Sequence, residues 1–381
     1  MIRRLTKLFD EFFQSEKAGG YLLMGCAALA VVLANSSVGD AFLNLWKMPL
    51  PGGAPLEWWI NDGLMAVFFL LVGLEIEREL YIGELSDWRN ALVPLMAAVG
   101  GMAVPAIVFL AYNNGLPTVH GFGIPMATDI AFAIGVMGLL GNRVPIALKV
   151  FLTALAIIDD LGAILVIALF YSHGFSFAWF AVAVATFAVM MIMGYRKVYS
   201  LWPYLLGFVV LWYALHHAGI HATIAGVLTA FAIPFGHGEK GTPSYDLQHF
   251  LHHPVAFFII PVFALANAGL KITPEMTAGL YTPLGMGILV GLVWGKPFGV
   301  LLGVMLGRSI GGREASDNVS WWQYTGAGMM AGIGFTMSIF ITLLALHEPA
   351  EINVAKGAIF LASLVAGILG FVVLRVVGTR A

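Results

Sequence analysis

Residues 152–170 read "LTALAIIDDLGAILVIALF" and place two adjacent carboxylates, Asp159 and Asp160, in a run that is otherwise apolar or small. A helix needs about 20 such residues to cross the hydrocarbon core of a bilayer. A charge at the centre of such a helix costs about 2.5–3.5 kcal/mol on insertion scales, and charges found there usually mark an ion pathway. Neighbouring helical residues point about 100° apart, so one carboxylate can face a cavity while the other faces another helix. The pair predicts a functional site inside the membrane.

The composition of the whole chain also indicates a membrane protein. Of 381 residues, 60% are hydrophobic and 10% are charged, whereas soluble domains carry about 25% charged residues. No basic run indicates nucleic-acid binding. The single cysteine, Cys26, excludes an intrachain disulfide, and neither a CxxC motif nor a metal spacing that combines Cys with His is present. We therefore expect no cofactor.

Apolar runs of spanning length recur along the chain and predict an all-α integral membrane protein. The runs do not alternate with polar residues, which argues against a β-barrel. The seventh and eighth runs are short and are equally compatible with a re-entrant pair. We expect a single transmembrane domain over residues 1–381 with about 12 spans. They lie near 18–36, 59–81, 91–112, 122–141, 146–172, 176–194, 201–217, 220–235, 248–270, 284–307, 321–346 and 353–377.

The distribution of basic residues predicts the orientation of these spans. Lys and Arg favour cytoplasmic loops. With the predicted spans, 15 of the 19 basic residues lie on the side of the two termini and three lie on the opposite side. Both termini are therefore expected in the cytoplasm.

Two of the spans carry signals of interrupted helices. Span four contains "GIPMATDIAFAIG" (residues 123–135), where Pro125 removes a backbone donor. Span eleven contains "AGIGFTMSIF" (residues 331–340), where Gly332 and Gly334 weaken the helix. Interrupted spans at corresponding positions of two halves indicate a transporter binding site, although close helix packing would also explain the glycines. We expect inverted repeats of spans three to five and ten to twelve, whose broken helices cross near the midplane.

Three further buried polar residues accompany the aspartate pair. Thr128 and Asp129 lie at the predicted break of span four, and Lys296 lies in "LVWGKPFGV". Lys296 is expected to pair with an aspartate or to offset helix C-terminal partial charges, unless it is a snorkelling residue at a helix end. Carboxylate oxygens bind hard cations such as Na⁺ or Li⁺, and away from water they also retain protons. The same residues could therefore exchange a cation for protons.

A second group of titratable residues lies near predicted span ends. Histidine titrates near neutral pH, so these residues suggest a pH sensor, and the spacing of His249 and His253 also permits metal binding. Polar helix ends at an interface would explain them equally well. The group consists of Glu75, Glu77, Arg78, Glu79, His216, His217, His221, His249, His252 and His253.

One exterior segment has a turn signal. "NLWKMPLPGGAPLEWWI" (residues 44–60) contains a "PGG" turn between short apolar flanks. This pattern is typical of a β-hairpin, and an ordinary interfacial loop is the alternative.

Several of these motifs resemble the NhaA family of bacterial sodium/proton antiporters, and the resemblance runs nearly end to end. The most specific motifs are "AIIDDLGA" and "ATDIAFA", accompanied by "GIHATIAG", "FALANAG", "GKPFG" and "GIGFTMSIF". The resemblance implies that Asp160 is the principal ion- and proton-binding residue and Asp159 its accessory. It also implies that Lys296 pairs with Asp159, and that Thr128 and Asp129 form the broken fourth helix at the crossing.

The resemblance implies further roles outside the ion site. Glu75, Arg78, Glu79, His249 and His252 match a cytoplasmic pH-response cluster, and His221 matches a histidine linked to that response. Residues 44–58 match an exterior hairpin that joins two protomers into a homodimer. The family exchanges more protons than sodium ions and is electrogenic. Two positions depart from the pattern: Glu77 stands where some relatives have a basic residue, and Gln248 where an acidic residue can complete the cluster.

These observations predict a secondary antiporter of the bacterial inner membrane that exports Na⁺ or Li⁺ and imports H⁺. Its expected partners are these ions and the lipid bilayer. Three other functions share single features of this pattern. An intramembrane aspartyl protease also uses paired aspartates, a cation channel uses acidic rings, and a symporter would couple sodium to an organic solute.

Overall fold

The computed structural model describes residues 2–50, 53–172, 174–236, 238–311 and 319–378. Most of the described chain is helical, and the described residues contain no strand. Besides 3₁₀ helices at Glu84–Ser86, Pro117–Met126 and Gly141–Arg143, the helices are α1 (Ile2–Ala34), α2 (Gly39–Leu45), α3 (Leu56–Tyr81), α4 (Trp88–Asn113), α5 (Ile130–Gly138), α6 (Ile146–Phe170), α7 (Phe177–Tyr195), α8 (Trp202–His217), α9 (Ile224–Ala232), α10 (Pro243–Asn267), α11 (Pro274–Gly279), α12 (Pro283–Ser309), α13 (Trp321–Ala331), α14 (Phe335–Ala345) and α15 (Pro349–Val377).

The predicted all-α membrane fold is confirmed, while the predicted number of twelve crossings is only partly matched by helices of spanning length. Within the described ranges, eight helices are long and apolar enough to cross a membrane, and two bent helix pairs bring the total to ten. The remaining two predicted spans correspond to α8 and α9, which have 16 and 9 residues. Both are shorter than the roughly 20 residues that a crossing needs. The count of twelve therefore stays a prediction.

The chain forms two compact units. The first contains residues 1–43, 87–163 and 264–381, and the second contains residues 44–86 and 164–263. The first unit holds residues 146–163 of α6 and both bent helix pairs. The second holds α3 and helices α7 to α9.

Glycines allow two long helices of the first unit, α4 and α12, to pack backbone to backbone. A Cβ added at Gly100 of α4 would collide with the carbonyl oxygen of Gly299 of α12, and the reverse is also true. Small residues at such contacts are typical of helix packing in membranes. Residues 151–160 of α6 are buried on every side. The two adjacent carboxylates therefore lie in the protein interior and do not face lipid.

Both predicted helix interruptions are confirmed. The 3₁₀ helix Pro117–Met126 and α5 meet at an angle of 42°, and α13 and α14 meet at 45°. Residues 127–129 are extended in the first break, and residues 332–334 separate the helices of the second. Each break leaves backbone groups without helical partners, and these groups build the site described below.

Residues 44–58 fold back on themselves in the second unit. The Leu50 N–H donates to the Ala54 carbonyl at 3.0 Å, and the Leu56 N–H donates to the Met48 carbonyl at 3.0 Å. A single antiparallel bridge joins Pro49 and Pro55. Two residues of the predicted "PGG" turn, at positions 51 and 52, lie outside the described residues. The described part of the segment is thus a reverse turn with one bridge.

Candidate ion-binding site

Helix α6 carries both adjacent aspartates into the first unit. Asp159 is 0% exposed and Asp160 is 3% exposed. Because two residues in succession on a helix point about 100° apart, the two carboxylates face different neighbours. Asp159 faces the first helix break and α12, which together supply its partners.

Asp159 and Lys296 form a fully buried ion pair. The Lys296 Nζ lies 2.5 Å from Asp159 Oδ2, and both side chains are 0% exposed. The same ammonium donates to the Met126 carbonyl at the C-terminal end of the 3₁₀ helix. A cation at this position offsets the partial negative charge of a helix C-terminus. Lys296 thus has both of its predicted roles, because it pairs with an aspartate and also offsets the charge of a helix C-terminus.

Thr128 joins this pair to the second broken helix. Its Oγ1 lies 2.7 Å from Asp159 Oδ2 and 2.9 Å from the Ala331 carbonyl oxygen. A hydroxyl has one proton and can donate it to only one of these acceptors at a time. Thr128 can therefore switch its hydrogen bond between Asp159 and the Ala331 carbonyl when the charge on Asp159 changes.

The two oxygens of Asp159 have different surroundings. Oδ2 receives Lys296 and Thr128, whereas Oδ1 is buried and has no hydrogen-bond partner among the described residues. A buried carboxylate oxygen without a donor is unfavourable. Oδ1 is therefore an acceptor that a cation or a proton can stabilise.

Asp129 ties the two interrupted helices together. Its Oδ1 accepts the Phe132 N–H at 2.9 Å and caps α5. Its Oδ2 accepts the Thr336 N–H at 3.0 Å and also the Thr336 hydroxyl. The Asp129 N–H donates to the Ile333 carbonyl at 2.7 Å. One carboxylate therefore faces the N-terminal ends of two helices, where negative charge is favoured.

A second cluster of charged side chains lies in the other unit, on α3 and α10. Arg78 and Glu79 are in contact at 3.0 Å, and Glu75 is buried within electrostatic range of both. His252 lies within range of Arg78 and of His249. The structure thus brings together most of the predicted pH-response residues.

Two residues of that group have local partners of their own. His221 places its Nε2 2.7 Å from the Tyr171 carbonyl oxygen. The exposed His249 places its Nδ1 3.0 Å from the Tyr245 carbonyl and stacks on the Tyr245 ring. Among the side chains that the structure describes, no group of three or more His, Cys, Asp or Glu residues is arranged to hold a metal ion.

One contact of the cluster was missed by sequence reasoning. The Ser244 hydroxyl donates to Glu77 Oε2 at 3.1 Å, and both residues are buried. Glu77 was recognised as a departure from the family pattern, but no sequence signal pointed to Ser244. The partner lies 167 residues further along the chain.

Two bent helices that meet beside a buried lysine and buried carboxylates define a class of protein. This is the arrangement of secondary transporters, whose ions bind where interrupted helices leave backbone groups and charges available.

Comparison with known proteins gives the family. The profile of the Na⁺/H⁺ antiporter 1 family matches residues 10–374. The Na⁺/H⁺ antiporter NhaA 1 of Flavobacterium johnsoniae is 53% identical over 376 residues, which cover 99% of this chain and 98% of the relative. The Na⁺/H⁺ antiporters NhaA of Dechloromonas aromatica and Cytophaga hutchinsonii are 52% and 49% identical over 372 residues each. These matches cover 97% and 98% of this chain and 95% and 96% of the relatives.

The chain therefore belongs to the Na⁺/H⁺ antiporter 1 family. The resemblance found in the sequence is confirmed. A member of this family is a secondary transporter and not an enzyme, so the aspartyl protease interpretation is wrong. The family and the apolar helices together make the chain a multi-pass protein of the bacterial inner membrane.

Proposed function

We propose that this chain exports Na⁺ or Li⁺ in exchange for a larger number of H⁺, and that Asp159 and Asp160 bind the ions in turn. The observation that carries the proposal is the buried Asp159 Oδ1, an acceptor without a donor beside a second buried carboxylate. Carboxylate oxygens bind both hard cations and protons, so the two ions compete for one site. Competition for one site is the requirement for exchange.

The neighbouring lysine couples the two ions. Lys296 and an incoming cation would both be positive charges next to Asp159, and they repel each other at this distance. A cation that reaches Oδ1 therefore favours release of a proton or withdrawal of the ammonium. When the cation leaves, protons restore the original state. Two carboxylates can take up two protons for each monovalent cation, which would move net charge across the membrane.

The broken helices give the site two-sided access. The site is held by side chains and by carbonyl groups at the ends of short helices, such as the Met126 and Ala331 carbonyls. Small movements of these helix ends would change which side the ions reach. We place both termini in the cytoplasm because basic residues concentrate on their side.

We further propose three properties outside the ion site. The charged cluster of Glu75, Arg78, Glu79, His249 and His252, together with His221, would regulate transport by pH. Residues 44–58 would join two protomers into a homodimer. The chain would need no cofactor, because the transported ions and its own carboxylates complete the exchange.

The test uses purified protein in proteoliposomes with a pH-sensitive dye inside and an imposed pH gradient. Na⁺ and Li⁺ should each dissipate the gradient and K⁺ should not. A membrane potential clamped with K⁺ and valinomycin should change the rate, because the exchange moves net charge. An equal response to K⁺ or a rate indifferent to the potential would contradict the proposal. Conductance far above transporter turnover would favour the channel, and dependence on an organic solute would favour the symporter.

A further inference from the structure

One buried hydroxyl on α6 is not used by the ion site. Thr153 is 6% exposed, and its Oγ1 is buried without a hydrogen-bond partner among the described residues. A threonine within a helix usually donates to the carbonyl oxygen four residues earlier. Thr186, Thr325 and Thr342 all do so, at 2.8–2.9 Å. The Thr153 hydroxyl is thus turned away from its own backbone, although burial of an unpaired hydroxyl is unfavourable.

The position of Thr153 connects it with Asp160. The two residues are seven positions apart, which places them on one face of α6 and roughly 10 Å apart along its axis. Ala156 and Ile157 flank the line between them at about equal angles, and the small side chain of Ala156 crowds that line less on its side. Lys149 stands one turn before Thr153 on this face. A row of polar groups therefore leads from the beginning of α6 to the aspartate.

We propose that the Thr153 hydroxyl holds water on the route by which ions reach Asp160 from the Ile146 end of α6. Water is the occupant because the hydroxyl can both donate and accept, and because the charge of the nearby Lys149 disfavours a resting cation. A cation or proton on its way to Asp160 passes this water, which lowers the barrier of an otherwise apolar passage. The inference rests on the proposed function of Asp160, and it makes Thr153 a positioning residue for the exchange.

The first test measures access and does not depend on transport. Cys26 is the single cysteine of the chain, so a Cys26→Ser background allows one thiol to be placed at a time. Thr153→Cys should react with 2-(trimethylammonium)ethyl methanethiosulfonate at least tenfold faster than Leu152→Cys, which is one residue away and 1% exposed. It should also react tenfold faster than Thr229→Cys. Thr229 of α9 is the matched control, because its hydroxyl is also buried without a partner among the described residues.

The second test measures the initial rate of Na⁺/H⁺ exchange. Thr153→Val keeps the shape and removes the hydroxyl, and it should slow exchange about tenfold with Na⁺ binding at equilibrium unchanged. Thr153→Ser restores a hydroxyl and should exchange at close to the wild-type rate, as should Thr229→Val. Equal labelling of positions 152 and 153, or a wild-type rate for Thr153→Val, would overturn the inference. An inactive wild-type protein would instead overturn the proposed function, and the labelling result would still stand on its own.

Discussion

Lys296 is the single side chain on which the electrostatics of the site depend most. It is fully buried, and its charge is balanced by Asp159 and the Met126 carbonyl. Desolvation of two such charges is expensive, so a buried pair adds little stability over apolar residues. Removal of one partner is far more costly because the other remains charged and buried. Stability alone therefore does not explain the pair, whereas the proposed ion exchange gives it a role.

Lys296→Met should therefore destabilise the protein by about 3–5 kcal/mol, the usual range for breaking a buried pair. The melting temperature in detergent measures this effect. Lys296→Met combined with Asp159→Asn should recover part of the loss, because no uncompensated charge remains. A melting temperature of Lys296→Met equal to that of wild type would contradict this account.

Lys271 provides the matched control for that substitution. It pairs with Asp40 outside the spans, where its hydrogen bond and charge hold the pKa of Asp40 below its usual range. The Asp40 side chain is 86% exposed, and water screens the pair. Lys271→Met should leave the melting temperature nearly unchanged. A loss as large as that of Lys296→Met would mean that burial does not set the cost.

The sequence predicted which residues of the site carry charge, because a charge in an apolar run is visible in the sequence. It could not predict how the oxygens are shared. The partners of Asp159 come from positions 31 residues before it and 137 after it. Tertiary packing alone brings Lys296 and Thr128 to Oδ2 of Asp159 and leaves Oδ1 without a partner among the described residues.

Asp129 links the two interrupted helices to each other. It caps α5 and receives two donors from Thr336 at the start of α14. The sequence located both breaks from Pro125, Gly332 and Gly334. It did not locate the contacts between them, because residues 129 and 336 are 207 positions apart.

Asp129→Ala should lower the melting temperature much more than the loss of an ordinary helix cap. Asp87→Ala is the control, because exposed Asp87 caps α4 by accepting the Arg89 N–H at 3.0 Å. Loss of such a cap typically costs about 1 kcal/mol. Asp129→Ala also leaves Thr336 without its acceptor inside the protein, which adds to the cost. Equal losses for both variants would show that the contact between the breaks contributes nothing.

The contact between α4 and α12 gives a second prediction about packing. Gly299→Ala should destabilise the protein, because the new Cβ collides with the Gly100 carbonyl and both helices must move. Gly25→Ala is the control, since a Cβ there meets no atom within 4 Å. In the control, removing a helical glycine should be neutral or stabilising by up to about 1 kcal/mol. Thermal unfolding of both variants in the same detergent measures the difference, and two equal melting curves would contradict it.

The chain contains two compact units that the sequence did not separate. Hydropathy identifies each apolar run, and most predicted boundaries fall within a few residues of the helices. Hydropathy cannot assign a run to a unit, because that assignment depends on which helix faces meet. The same limit applies to α8 and α9, whose apolar composition predicted either two full spans or a re-entrant pair, and whose helices have 16 and 9 residues.

The proposed dimer is tested by removing the turn that carries it. A variant without residues 49–55 should have the mass of a monomer in detergent by light scattering, whereas the wild type should have the mass of a dimer. Its ion site should remain intact, because Asp159 and its described partners lie in the other unit. A dimeric variant, or a monomeric wild-type protein, would reject this role for the segment.

The most direct test of exchange through the buried aspartates is the rate of Na⁺-driven proton movement in proteoliposomes containing Asp160→Asn. Asn keeps the size of the side chain and removes its charge. Asp87→Asn, at the exposed cap of α4, is the matched control and should exchange Na⁺ for H⁺ at the wild-type rate. We predict that Asp160→Asn folds with a native melting curve and shows no exchange with Na⁺ or Li⁺ at any pH. Substantial Na⁺/H⁺ exchange by this variant would contradict the account.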